Sequence, residues 1–338
     1  MRLLSPRRKG LSGAFTLIEA MISMVIVIAI LLSILEVVSS VEHSWKVEAN
    51  NSFAEAQEAF SVLTQNLASA TLESYQDFAD GNGTFHTSST ATFVPDHLAR
   101  RSDLAFICGP TSGPNGLLAS SGRITSGCGV FFAMPQGYTE TEKNSGMEHL
   151  LNAMGYFIEF GSNSDAPAFL PSTVQRWRWR LKEVRQSSES LQIFNLTSSD
   201  TWIRELISSQ TTTPALADNI IALVILPERA ANDSGAILAS DFRYDSRDTA
   251  NPLTRHQLPP RLRVAFVAID ETSAQILAAQ NGSNPPALVA SSLFQSATQL
   301  DADLAALDSS LTSSKIRHRL FQREILLNAA AWSNILSR

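Results

Sequence analysis

One stretch constrains this chain more than any other. Four basic residues (Arg2, Arg7, Arg8 and Lys9) come first, then the small pair Gly13-Ala14, then an apolar run over residues 15–35. Twenty-one consecutive residues of this kind are long enough to cross a bilayer core as a helix. Basic residues precede the run and none follows until Lys46, which predicts a leader on the cytoplasmic side and the remainder outside. A single carboxylate, Glu19, interrupts the run near its start. A charge at that depth costs a few kcal/mol, so its presence demands a reason.

Three ordinary readings fail on particulars. A secretory signal peptide has a shorter apolar core and places its small residues after it, not before. Arg7-Arg8 imitates a twin-arginine signal, but Lys9-Gly10-Leu11 fits that pattern poorly. A plain anchor accounts for length and flank yet predicts no carboxylate.

Gly13-Ala14-Phe15-Thr16-Leu17-Ile18-Glu19 resembles the prepilin-type signal of type IV pilins and type II secretion pseudopilins. The resemblance implies cleavage by prepilin peptidase ahead of Phe15, methylation of the new amine, and a fifth-position Glu19 that pairs with the amine of a neighbouring subunit. Usually Gly directly precedes the Phe; here Ala14 intervenes, and cleavage after Gly13 or after Ala14 both stay open. A paired carboxylate recovers much of the desolvation penalty of an unpaired one, which gives Glu19 a physical purpose.

Beyond residue 35 polarity rises without Gly or Pro up to about residue 78. Phe53, Ala56, Phe60, Leu63, Leu67 and Ala70 recur at helical steps. The expectation is one long helix, apolar over 15–35 and amphipathic over 36–78, broken by Asp80-Gly81-Asn82-Gly83. Strand-like segments follow at residues 104–108, 130–134, 156–160, 175–181, 220–226, 262–269 and 316–327, with 220–226 read as a central strand. Leu293, Leu300, Leu304, Leu307 and Leu311 suit an amphipathic helix. Strands without regular intervening helices predict a mainly antiparallel sheet. The expected fold class is therefore α+β, pilin-like, with a long N-terminal helix packed on that sheet, and residues 79–338 forming a periplasmic domain beyond the leader at 1–14.

Further stretches are similar to the J-type minor pseudopilin and, more closely, to protein C of the Verru_Chthon cassette, a prepilin-like family of Verrucomicrobia. They include Gly155-Tyr156-Phe157-Ile158-Glu159-Phe160-Gly161, the Arg176-Trp177-Arg178-Trp179-Arg180 strand, Ala217-Asp218-Asn219, Tyr244-Asp245-Ser246-Arg247, Gln257-Leu258-Pro259-Pro260 and Arg317-His318-Arg319-Leu320-Phe321. These imply a non-enzymatic minor pseudopilin of a type II secretion or type IV pilus-like complex. Its partners would be prepilin peptidase, other prepilin-like subunits and the inner membrane, with single-pass placement and a periplasmic C-terminal domain. A binding or adhesin head on the same anchor is the alternative.

The remaining chemistry is sparse. Taking the leader's four from 26 leaves 22 basic residues against 32 acidic ones, and a net charge of −10 argues against nucleic acid. The six histidines are scattered and no nucleophile, phosphate-loop or dinucleotide motif occurs, so no catalytic residue, metal or cofactor is expected. Cys108 and Cys128 lie near the ends of a Gly/Ser/Pro-rich loop; in an oxidising periplasm a disulfide would stabilise it by roughly 3 kcal/mol, the alternative being two free thiols. The alternating strand sets Trp177, Trp179 and Leu181 on one face and Arg176, Arg178 and Arg180 on the other, which reads as a solvated face.

Overall fold

The structure, a computed structural model, describes residues 53–87, 92–162, 176–193, 201–208, 214–229 and 236–334, together with residues 21, 24, 26–28, 30 and 31. The chain divides into two compact units, Met1–Ser52 and Phe53–Arg338. In the first, Met21, Met24, Ile26, Val27, Ile28, Ile30 and Leu31 are helical, and every one of them is exposed.

The second unit begins with α1 (Ala54–Ala68), whose periodic residues Ala56, Phe60, Leu63 and Leu67 are buried. The expected continuation to residue 78 does not occur. The Ser69 N–H bonds back to the Asn66 carbonyl and the Ala70 N–H to the Leu67 carbonyl, and the Thr71 N–H then donates to the Ala133 carbonyl at 2.8 Å. Pairing with a distant strand outcompetes another helical turn, and the chain enters β1 (Tyr75–Ala79) instead.

Ten more strands follow: β2 (His97–Arg101), β3 (Phe106–Pro110), β4 (Thr125–Pro135), β5 (Leu151–Gly161), β6 (Arg178–Gln186), β7 (Ala215–Asp218), β8 (Ile220–Glu228), β9 (Tyr244–Asp245), β10 (Arg261–Ile269) and β11 (His318–Leu326). Three further helices are α2 (Thr201–Ser208), α3 (Glu271–Asn281) and α4 (Leu300–Ser313). The strands form a six-stranded sheet ordered β7-β6-β5-β4-β3-β9, a three-stranded sheet ordered β11-β10-β8, and the β1–β2 ribbon. Neighbouring strands all run antiparallel.

Strand β10 shows why the sheets are covered as they are. Leu262, Val264, Phe266 and Ala268 point into the core shared with α1 and the six-stranded sheet, while Ala265, Val267 and Ile269 meet Leu300, Leu304, Leu307 and Leu311 of α4. Phe60 of α1 packs edge-on against Phe266 (4.8 Å between centroids) and at a tilt against Phe321 of β11 (5.8 Å). A polar chain, Asn66 Nδ2 to Tyr156 Oη (2.6 Å) and Tyr156 Oη to Glu183 (2.9 Å), ties the helix to β5 and β6. Strand β8 is buried at all nine positions although β10 is its one strand neighbour in the sheet among the described residues, so it is not central in its sheet. Part of its cover comes from β4, where Gly127 (φ +68) lies so close that a Cβ would sit 2.6 Å from the Leu223 carbonyl oxygen.

Two expectations are corrected. Among the described residues no helix is longer than the 15 residues of α1, and the class is β-rich rather than a pilin-like long helix packed on a sheet. None of the described helices is long and apolar enough to cross a membrane, which overturns the single-pass inner-membrane placement and the transmembrane and pilin-like descriptions that went with it. The physical reason in the described part is the early end of α1, where backbone pairing to β4 takes over.

Candidate functional site

Gly13, Ala14, Phe15 and Glu19, the processing and assembly residues expected from sequence, lie outside the described residues. Cys108 and Cys128 are both buried and both free thiols. The β3–β4 register sets Cys108 opposite Val130 and Cys128 opposite Pro110, so the cysteines are diagonal neighbours. Diagonal residues stand about 7–8 Å apart, beyond the usual disulfide span of about 4.4–6.8 Å between Cα atoms. Burial pushes the Cys128 thiol up to about 11 and raises Cys108 well above its ordinary value, so neither is a ready nucleophile.

The arginine row of β6 departs most from its sequence reading. Arg176 is exposed, but the Arg178 side chain retains only 3 % of its exposure and that of Arg180 only 6 %. Arg178 grips Glu271 through two bonds (2.6 and 2.8 Å) and donates to Asn219 Oδ1 at 2.9 Å. Arg180 donates to Asp218 at 2.7 Å and to the carbonyls of Gly161 and Arg176. Bidentate guanidinium–carboxylate pairing is the strong form of this interaction.

Local sequence explains how these partners arrive. Asp270 accepts the Ser273 N–H and caps α3, which places Glu271 in the first turn. Between β7 and β8, Asn219 adopts φ +63, a conformation Asn tolerates better than most residues. Its N–H donates to the Trp179 carbonyl and its carbonyl accepts from the Ile269 N–H, locking the turn between β6 and β10. Burial raises the Glu271 carboxyl, but hydrogen bonds from Gln275 and Asn219 and the charge of Arg178 outweigh it and hold the group below its ordinary value.

The opposite face of β6 carries Trp177 and Trp179, packed on Phe160 of β5 at 5.9 and 5.2 Å between centroids. Together with Leu277 and Ala278 of α3 and Pro286 and Leu288 beyond it, they line a narrow apolar cleft with room for only about 20 Å³. Its one charged lining residue, Arg178, is already committed to Glu271. No acid, base or nucleophile lines the cleft, and its walls are mainly apolar and aromatic.

A second depression is polar, lined by Ser102, Asp241, Arg243, Asp245, Arg247, Asp248, Thr249, Arg255 and His256. Its wall is a stapled loop. Tyr244 Oη donates to the Gln257 carbonyl (2.8 Å), and Arg100 binds the carbonyls of Pro252, Leu253 and Arg255. His256 sits at φ +55 with its N–H on the Ser246 carbonyl. Burial first, then the charges of Arg255 and Arg100, push the His256 imidazole down to about 4. Burial raises Asp245, partly offset by Arg247. The Ser102 hydroxyl donates to the Leu72 carbonyl at 2.5 Å and its oxygen accepts the Leu104 N–H, so it does not form a nucleophile–base pair with His256. Among the described residues no group of His, Cys, Asp and Glu is arranged to hold a metal ion.

Sequence reasoning singled out Trp177, Trp179 and the arginines and named Phe160 and Asn219 only within stretches that carry the resemblance, but gave no role to Glu271 or His256. The Asp270-x-x-Ser273 spacing ahead of residues 271–281 was the available signal for α3. Nothing local marks His256. No family model matches the chain, and neither curated proteins nor solved structures give a significant match.

Proposed function

We propose that this chain is a non-enzymatic subunit of a secretion or pilus-like assembly, with its leader removed by prepilin peptidase and its new N-terminus joined to neighbouring subunits. The observation that carries the reading is the sequence Gly13-Ala14-Phe15-Thr16-Leu17-Ile18-Glu19 behind four basic residues. Phe15 supplies the new amine, and Glu19 meets the amine of a neighbour. Supporting it, the described helical residues between 21 and 31 are apolar and all exposed, a surface that calls for cover by other apolar elements. N-terminal mass spectrometry of the protein from cells carrying a prepilin peptidase tests the reading. A methylated Phe15 terminus is expected, and an intact Met1 terminus rules it out. Glu19→Ala is expected to leave cleavage intact and to impair incorporation.

A second reading, a binding head, is favoured by the aromatic cluster of Phe160, Trp177 and Trp179. It predicts saturable quenching of tryptophan fluorescence by a small aromatic ligand, lost in Trp177→Ala. Unchanged fluorescence across a panel of such ligands removes it.

A further inference from the structure

We propose that the outer edge of β11 accepts one extended strand from a protein partner in which acidic and apolar residues alternate. That strand would become the fourth of the β11-β10-β8 sheet. Strand β11 is nine residues long and is paired on one side only, with β10. The Leu327 N–H donates to the Pro260 carbonyl and the Asp270 N–H to the Arg317 carbonyl, so odd-numbered residues bond inward across the β10–β11 register. The N–H and C=O groups of Leu320, Gln322, Glu324 and Leu326 therefore point outward, toward the open edge.

Among the edges of the six- and three-stranded sheets this one stands apart. The six-stranded sheet ends in β7 and β9, of four and two residues, and the other edge of the small sheet, β8, is buried throughout. Short or covered edges are protected edges. Strand β11 is exposed apart from Phe321, Ile325 and the half-buried His318.

Its side chains define the partner. Arg317, Arg319 and Arg323 are exposed on the face that carries Phe321, and no ion pair joins them to a carboxylate among the described residues. Arg261 and Arg263 on the neighbouring strand are paired with Glu228, Glu324 and Asp301. On the other face of β11, Leu320 and Leu326 are 38 % and 70 % exposed. Cross-strand neighbours share a face, so an added strand would set carboxylates beside Arg319 and Arg323 and apolar side chains beside Leu320 and Leu326. Guarding charges alone would explain the arginines but leave two exposed leucines at the same edge. Main-chain bonds would supply affinity and the alternating side chains selectivity.

The test is fluorescence anisotropy of the full chain with labelled nine-residue peptides. Alternating glutamate and valine is expected to bind, alternating lysine and valine is not, and binding weakens several-fold between about 50 and about 300 mM salt. The exposed double substitution Arg319→Glu/Arg323→Glu is expected to lose affinity by about ten-fold or more at unchanged melting temperature. Methylating every second peptide nitrogen separates strand addition from charge attraction. One alternate set abolishes binding and the complementary set leaves it. Equal effects of the two sets, retained affinity in the double variant, or no binding of the glutamate–valine peptide up to about 1 mM overturns the proposal.

Discussion

Two rows of arginine, each on one face of a strand, meet opposite fates in this molecule. On β6, Arg178 and Arg180 are buried and held by Glu271, Asn219 and Asp218. At the start of β11 and along it, Arg317, Arg319 and Arg323 are exposed, and among the described residues no carboxylate pairs with them. Residue type is not what differs. Strand β6 is interior, flanked by β5 and β7, and two turns deliver carboxylates to it from residues 218 and 271. Strand β11 is an edge, and no such turn reaches it. A guanidinium is buried where the topology brings acceptors and remains outside where it does not.

The contrast can be broken at its strongest point. Glu271→Ala strands the Arg178 charge in a site that water barely reaches, and a loss of about 3–5 kcal/mol in urea unfolding is expected. Acidification from near neutral sharpens it elsewhere. His256, crowded by Arg255 and Arg100, has its pKa held down to about 4 against an ordinary 6.5. Because the folded form resists the proton that the unfolded form accepts, stability is intact above about pH 6.5 and falls by about 3 kcal/mol toward pH 4. In His256→Asn, which keeps a residue tolerant of positive φ, the urea midpoint is expected to vary less across that window. Arg178→Met is the milder half of the first pair. It leaves Glu271, whose side chain is 45 % exposed, to water, so a loss of about 1–2 kcal/mol is expected in the same assay. Arg319→Ser/Arg323→Ser should change stability by less than about 0.5 kcal/mol.

Much of the sheet was legible. Continuous or alternating apolar runs marked β4, β5, β8 and β10, and the leucines at 300, 304, 307 and 311 marked α4, each of them buried. The helical steps from Phe53 to Leu67 were equally true to the structure. The helix end was not legible, because a distant carbonyl, Ala133, sets it. Helix α3 escaped notice because its buried residues are only Ser273 and Ala274, too few to show a face. The fate of the β6 arginines depended on Asp218 and Glu271, some 40 and 90 residues later. Several stretches that carried the family resemblance are partners of one another: the β6 arginines with Asp218 and Asn219, and Tyr244 with Gln257. Each was noticed singly, and pairing is information a linear reading lacks.

The contact of Phe60 with Phe321 sets the order in which this domain can be built. Helix α1 is among the first parts of the domain to leave the ribosome, yet its covering ring and the Asn328 N–H that binds the Ala68 carbonyl are among the last. Contacts of such sequence separation close slowly. During synthesis the side of Phe60 that Phe321 covers therefore stays open until residue 321 is made, and a message truncated before it yields a product with that side open to chaperones and proteases.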